Sequence, residues 1–424
     1  MAECKNKIIT FLGTRPLLTT YEFDSQCYTG SVFAEALHQF ARFDQMLVFL
    51  TEDAMATTWP VLAALNDVRI KPVMIPLGIN NDEMWSMFDL VLEHVNEADT
   101  VIFDITHGLR SMPFLSFLFA AFLKFARGVT IEAVYYGAFE LGDPRKNIPA
   151  PVFDLSEFVN MLDWLTATDR FVLTGDGSSL TELLRNEIPP GVHMGEDNEL
   201  REIGNHLRKV ADSITGISRA LQMVRPIEVL EGGTKVVDVL AESKEVFGQS
   251  ARPFSVLAER IEASYGQFGL PDALEPSHVL PSLEKQLNMV RWYLDHQQAV
   301  QATLLMREWL VSALMALSDT FPLDSLQKRL EIETVINNGV QIMMSKHQNK
   351  TDRLHPILRK FADPIKAIKI WSRLSQMRND IAHCGMRENS QTAERLVKAS
   401  EHIYKDVEII AKQNFAIFKP DEEK

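Results

Sequence analysis

Apolar positions change their period once along this chain. Up to about residue 154, short runs of bulky apolar residues alternate with stretches whose apolar positions recur every three or four residues. KIITFL (7–12), MLVFL (46–50), KPVMIPL (71–77), TVIFDI (100–105) and VTIEAVYY (129–136) read as buried strands. Between them, SVFAEALHQFARF carries a helical stripe of Phe33, Ala36, Leu37 and Phe40, and AMATTWPVLAAL, MWSMFDLVLEHV and PFLSFLFAAFLKFA also read as helices. Short buried strands separated by helices predict a mainly parallel sheet covered on both faces, a Rossmann-like domain.

Past Asp154 the strand signal stops. From LSEFVNMLDWLTATDRFVL onward nearly every segment has helical spacing, broken at TGDGSS (174–179), NEIPPGVHMG (186–195), EGGT (231–234) and FGLPDALEPSHVLPS (268–282). The last break is the best linker candidate. Beyond it, LEKQLNMVRWYLD, AVQATLLMREWLVSALMALS, PIKAIKIWSRLSQMRNDIAH and TAERLVKASEHIYKDVEIIAK predict a helical bundle. The fold expected is therefore α/β plus all-α, with a Rossmann-like domain over 1–175, a helical linker or extension over 176–282 and a helical domain over 283–424.

Composition narrows the class. The 424 residues are 46% hydrophobic and 24% charged, as in ordinary globular proteins. No uninterrupted apolar run reaches the ~20 residues of a membrane helix, and the N-terminal stretch does not read as a secretory signal. A cytoplasmic protein with no membrane partner is the expectation. The three cysteines, Cys4, Cys27 and Cys384, lack metal-ligand or disulfide spacing. Cys384, beside His383, reads either as a thiol nucleophile or as an idle residue. A net charge of -14 argues against broad coating of nucleic acid.

In a Rossmann-like sheet, ligands sit beyond the carboxyl ends of the strands. Three loops leave those ends: GTRP (13–16), TED (51–53) and THGLRSMP (106–113). GxGxxG and the phosphate-loop pattern GxxxxGK[ST] are both missing, which disfavours dinucleotide and P-loop chemistry. The third loop offers more. Gly108 permits close approach of a ligand, Thr106 supplies a hydroxyl and Arg110 can fork onto a phosphate. The same residues fit a second reading, in which Thr106 caps the next helix, Gly108 makes a turn and Arg110 faces water.

The helical half holds an arginine followed five residues later by a histidine three times: REIGNH from Arg201, RWYLDH from Arg291 and RNDIAH from Arg378. Spacing cannot choose among them. The third follows a basic run, with nine Lys or Arg against three Asp between Gln341 and Asp380. Taken alone, that run reads as a solvated helical face.

These motifs in this order resemble the CARF–HEPN ancillary ribonucleases of type III CRISPR systems. FLGT and DITHGLRSMPFL look like the two ligand-loop motifs of the sensor domain. PVFDLSEFVNMLDWLTATDRFVLTGD is similar to the segment that leaves it, QATLLMREWL with Arg307 and Glu308 to an early ribonuclease helix, and RNDIAH to the active motif. Only RNDIAH has Asn at its second position and lies in a late helix of the bundle. The resemblance implies an endoribonuclease with Arg378, Asn379 and His383 as catalytic residues and Lys366, Lys369 and Arg373 on the RNA. It further implies an activating cyclic oligoadenylate held by Gly13, Thr14, Arg15, Thr51, Thr106, His107, Gly108, Leu109 and Arg110. Cyclic tetra-adenylate is the favoured ring, with cyclic hexa-adenylate second.

RNA carries its own nucleophile, the 2'-OH, so such an enzyme needs no metal and no further cofactor if it stabilises a phosphorane and moves protons. Positions five apart on a helix point roughly 140° apart. Two motifs meeting across a twofold axis would solve that, and the resemblance implies a homodimer or a larger assembly of dimers. Two rivals stay open: a sensor or adaptor without RNA cleavage, and a ring nuclease that degrades the cyclic oligoadenylate with His107 and Arg110.

Overall fold

The structure is a computed structural model that describes residues 5–108, 111–189, 198–345, 350–386 and 388–418. It divides into two compact units, Met1–Asp163 and Trp164–Lys424. The first holds the strands β1 (Asn6–Leu12), β2 (Thr19–Phe23), β3 (Gln26–Gly30), β4 (Gln45–Leu50), β5 (Ile70–Met74), β6 (Thr100–Asp104), β7 (Thr130–Gly137) and β8 (Ala150–Asp154). They form one sheet in the order β3-β2-β8-β7-β6-β1-β4-β5. The pairs β1–β4, β1–β6, β4–β5, β6–β7 and β2–β8 are parallel; β2–β3 and β7–β8 are antiparallel. The sheet is thus mainly parallel, as the apolar runs imply.

Side-chain alternation splits the buried residues of the inner strands between two clusters. Ile8, Leu12, Met46, Val48 and Leu50 enter one, whereas Ile9, Phe11, Leu47 and Phe49 enter the other. A strand buried on both faces has no polar side to show, which is why these segments read as continuous apolar runs. Helices α1 (Phe33–Phe40), α2 (Glu52–Thr57), α3 (Trp59–Ala63), α4 (Asn81–His94) and α5 (Met112–Arg127) separate the strands, and α6 (Ser156–Thr174) leaves the sheet. AMATTWPVLAAL, expected as one helix, is two: α2 closes at Thr58, and Pro60 stands in the first turn of α3, where its missing N–H costs nothing.

The apolar pattern does not announce the hairpin β2–β3 or strand β8. The hairpin turns on Asp24 and Ser25, both at positive φ (47° and 65°), the conformation a two-residue hairpin loop requires.

The second unit contains α7 (Ser178–Asn186), α8 (Asn198–Gln222), α9 (Pro226–Glu242), α10 (Lys244–Ser250), α11 (Arg252–Tyr265), α12 (Val279–Asp295), α13 (Ala299–Leu317), α14 (Leu326–Met344), α15 (Pro364–Ala382) and α16 (Ala393–Asn414). One buried cluster runs through it from Trp164 to Phe415. Within 268–282, Phe268 and Ala273 are fully buried in that cluster, and the Leu270 N–H donates to the Leu230 carbonyl. Among the described residues α13 is long and apolar enough by length and composition to cross a membrane, but it packs as a core helix: Ala302, Met306, Trp309, Val311 and Ala313 are fully buried.

Candidate functional site

In the first unit, the loops after β1, β4 and β6 leave neighbouring parallel strands at their carboxyl ends. A Cβ built on Gly13 would stand 3.6 Å from the Gly108 nitrogen, so the first and third loops lie within a methyl group's reach of each other. Gly108 has φ +111°, and a Cβ there would meet the Phe11 Cβ at 3.0 Å. The conformation and the crowding at Gly108 both favour glycine.

Beneath this junction lies Asp104, with no exposed surface. Its carboxylate accepts the Thr10 hydroxyl at 2.6 Å and the Thr106 N–H at 2.8 Å. Burial pushes the Asp104 carboxyl up, against the attraction of His107 and these hydrogen bonds. His107 is half-buried; its ring stacks on Phe139, with centroids 5.6 Å apart, and its Nε2 lies 3.4 Å from the Tyr21 hydroxyl. Burial lowers the His107 pKa, with Asp104 pulling the other way.

Two hydroxyls expected at a ligand face inward. Thr106 accepts the Gly137 N–H at 2.8 Å, and Thr51 caps α2 by accepting the Ala54 N–H. The reading of Thr106 as a helix cap is therefore not what is found: Ser111 stands at the N-cap of α5, with no side-chain bond. Thr14 and Arg15 are exposed. Leu109 and Arg110 lie outside the described residues. Tyr21 and Phe139, which flank His107, carry no clear signal in the sequence, because one lies on the edge hairpin and the other in the short 3-10 turn at Phe139–Leu141.

In the second unit, the three arginine–histidine pairs separate by environment. On α8, His206 Nδ1 lies 3.0 Å from the fully buried Ser243 hydroxyl. On α12, Arg291 pairs with Asp295, while His296 stacks on Trp292 at 4.2 Å. On α15, Arg378, Asn379 and His383 are all exposed. Arg378 donates to the Asn379 side-chain oxygen at 3.2 Å, and the His383 imidazole has no hydrogen bond among the described residues.

Helix α15 closes at the histidine of its motif. Ala382 is the last helical residue and His383 the C-cap. The Cys384 N–H donates to the Ile381 carbonyl and the Gly385 N–H to that of Asp380, the two bonds of a Schellman closure. Cys384 itself takes the left-handed position, φ +53°, and is exposed.

Around α15 the charges are mostly paired. Arg307 on α13 bonds Glu333 (2.7 Å) and Glu308 (2.6 Å), and its guanidinium lies 4.4 Å from the centre of the Trp371 ring. Burial works against its charge, but the two carboxylates hold its pKa above the ordinary value. Glu308 also takes Arg329 at 2.7 Å. Of the basic run, Lys366 and Arg373 share Asp406 on α16 at 3.2 and 2.8 Å, whereas Lys369 is exposed.

No family model matches the chain. Over 316 residues it is 24% identical to CRISPR-associated protein MJ1674 of Methanocaldococcus jannaschii. That stretch is 73% of this chain and 42% of the relative, so the chain spans well under two thirds of the protein it matches. The similarity supports a CRISPR association.

Proposed function

We propose that the chain is a type III CRISPR ancillary ribonuclease of the CARF–HEPN kind, acting in antiviral defence and switched on by a cyclic oligoadenylate. One observation carries this reading: of three arginine–histidine pairs, only Arg378 and His383 stand open to solvent at a helix end, with Asn379 against the arginine. Similarity to a CRISPR-associated protein supports it, as does a first unit whose glycine loops lie close together beyond a mainly parallel sheet.

The chemistry follows from the groups. A base takes the proton of the RNA 2'-OH, whose oxygen attacks the adjacent phosphorus, and the 5'-oxygen leaves with a proton. His383 is the residue suited to move those protons. Arg378 supplies fixed donors and a permanent charge to the phosphorane oxygens, and Asn379 orients the phosphate. Products carry 2',3'-cyclic phosphate and 5'-OH ends, and DNA is inert. Because Arg378 and His383 diverge around one helix end, two copies meeting across a twofold axis form the working site. The ring, cyclic tetra-adenylate first, sits on the loops of Gly13–Arg15 and Thr106–Arg110 and shifts the population toward the productive pairing.

Labelled RNA incubated with and without cyclic tetra-adenylate tests this. Cleavage should require the ring, vanish in His383→Ala and no longer be activated by the ring in Arg110→Glu. Following the ring in the same tubes separates a ring nuclease, and metal-dependent cleavage that survives His383→Ala would defeat the mechanism.

A further inference from the structure

His383 is placed by backbone alone, since its imidazole has no hydrogen bond among the described residues. What fixes that backbone is the residue three positions earlier. Asp380 lies in the last turn of α15 and is 5% exposed. Its main-chain carbonyl accepts the Gly385 N–H at 3.2 Å, and its Oδ2 accepts the Gln391 N–H at 2.9 Å. Gln391 directly precedes Thr392, whose hydroxyl caps α16 by accepting the Arg395 N–H.

Asp380 thus holds both sides of the connection between α15 and α16. Within it, Cys384, Gly385 and Asn389 have φ of +53°, +70° and +61°, and His383 is tied at both ends, its N–H to Asn379 and its carbonyl to Met386. Burying a polar group costs free energy unless it is bonded, and the Gln391 N–H meets Oδ2 of this carboxylate, while Oδ1 is buried without a hydrogen bond among the described residues.

We infer that Asp380 is a positioning residue: by clamping Gln391 to the end of α15 it sets the turn that aims His383. The inference rests on the RNA-cleavage reading above and adds a residue to it. Asn379 and Asp380 are neighbours with different work, one facing the substrate and the other facing the loop.

Cleavage of labelled single-stranded RNA by the full chain with cyclic tetra-adenylate tests it. Asp380→Ala is expected to lower kcat about tenfold to a hundredfold, as a small misplacement of a reacting group does, with KM for RNA moving less than about twofold. Asp380→Asn keeps a carbonyl oxygen for the Gln391 N–H and should restore most of kcat. Amide exchange at Gln391 reports the clamp without reference to activity: fast in Asp380→Ala, slow in the wild type and in Asp380→Asn. Wild-type kcat in Asp380→Ala overturns the assignment, as does a loss confined to KM. Should Asp380→Ala not fold, Asp380→Asn decides, because a protected Gln391 amide beside a loss of kcat of about tenfold would also overturn it. If His383→Ala cleaves like the wild type, the RNA-cleavage reading itself fails; if His383→Ala is inactive while Asp380→Ala is fully active, only the clamp fails.

Discussion

The Thr106 hydroxyl accepts the buried N–H of Gly137 at 2.8 Å, tying the loop after β6 to the end of β7. Thr106→Val keeps the shape but leaves that N–H without an acceptor. It should destabilise the chain by about 1–3 kcal/mol, the cost of an unsatisfied buried donor. Thr106→Ser should stay near the wild type, and urea denaturation of the three proteins gives the comparison.

Arg307 joins α13 to α14 through Glu333 and to α15 through the Trp371 ring. Arg307→Met should cost about 2–4 kcal/mol, because it strands a mostly buried carboxylate. Arg307→Lys should recover only part of this, since an ammonium lacks the planar fork and the stacking surface. A double-mutant cycle with Glu333→Gln should return a coupling of about 1–3 kcal/mol.

Cys384 occupies the left-handed position that ends α15. An L-residue there costs about 1 kcal/mol relative to glycine, so Cys384→Gly should raise stability by roughly that amount in chemical denaturation. RNA cleavage should persist, which would also dispose of the thiol as a nucleophile.

His107 gives a pH signature. Burial holds its pKa below the ordinary 6.5, so the folded chain refuses a proton that the unfolded chain accepts. Its contribution to stability is complete above that value and is lost as the pH falls through the lower, folded pKa. Asp104, raised by burial, has the opposite sense: its contribution is lost as the pH rises. Comparing wild type with His107→Gln reads the histidine together with its pull on Asp104, and both act in the same direction. Between about pH 8 and about pH 5.5 the wild type should lose more stability than the variant. Equal losses would show that the burial of His107 is not what sets its titration.

The sheet was legible where strands are buried on both faces, as in KIITFL and TVIFDI, because a short, unbroken apolar run between turn residues fits an inner strand better than an amphipathic helix. TTYEF and QCYTG were not, because an edge hairpin shows one face to water and Asp24-Ser25 is a weak turn signal. The sequence placed Gly13 and Gly108 in loops at the carboxyl ends of two strands, and the structure adds that these loops lie close together. It could not place Thr51 and Thr106, since a hydroxyl that caps a helix or holds a strand looks the same in sequence as one that faces a ligand. RNDIAH was singled out by Asn379 and its late position. Asp380 sits inside that motif with no role legible in the sequence, because its partner Gln391 lies across a turn that spacing does not foretell.

Asp406 has a consequence for how RNA would be held. By pairing with both Lys366 and Arg373 it offsets one of the two positive charges they bring to α15. Each phosphate contact on a single strand contributes about -0.7 to the slope of log affinity against log salt. RNA seated here would displace fewer counterions than the number of cations on α15 suggests, so its affinity should fall less steeply with rising ionic strength than that number implies.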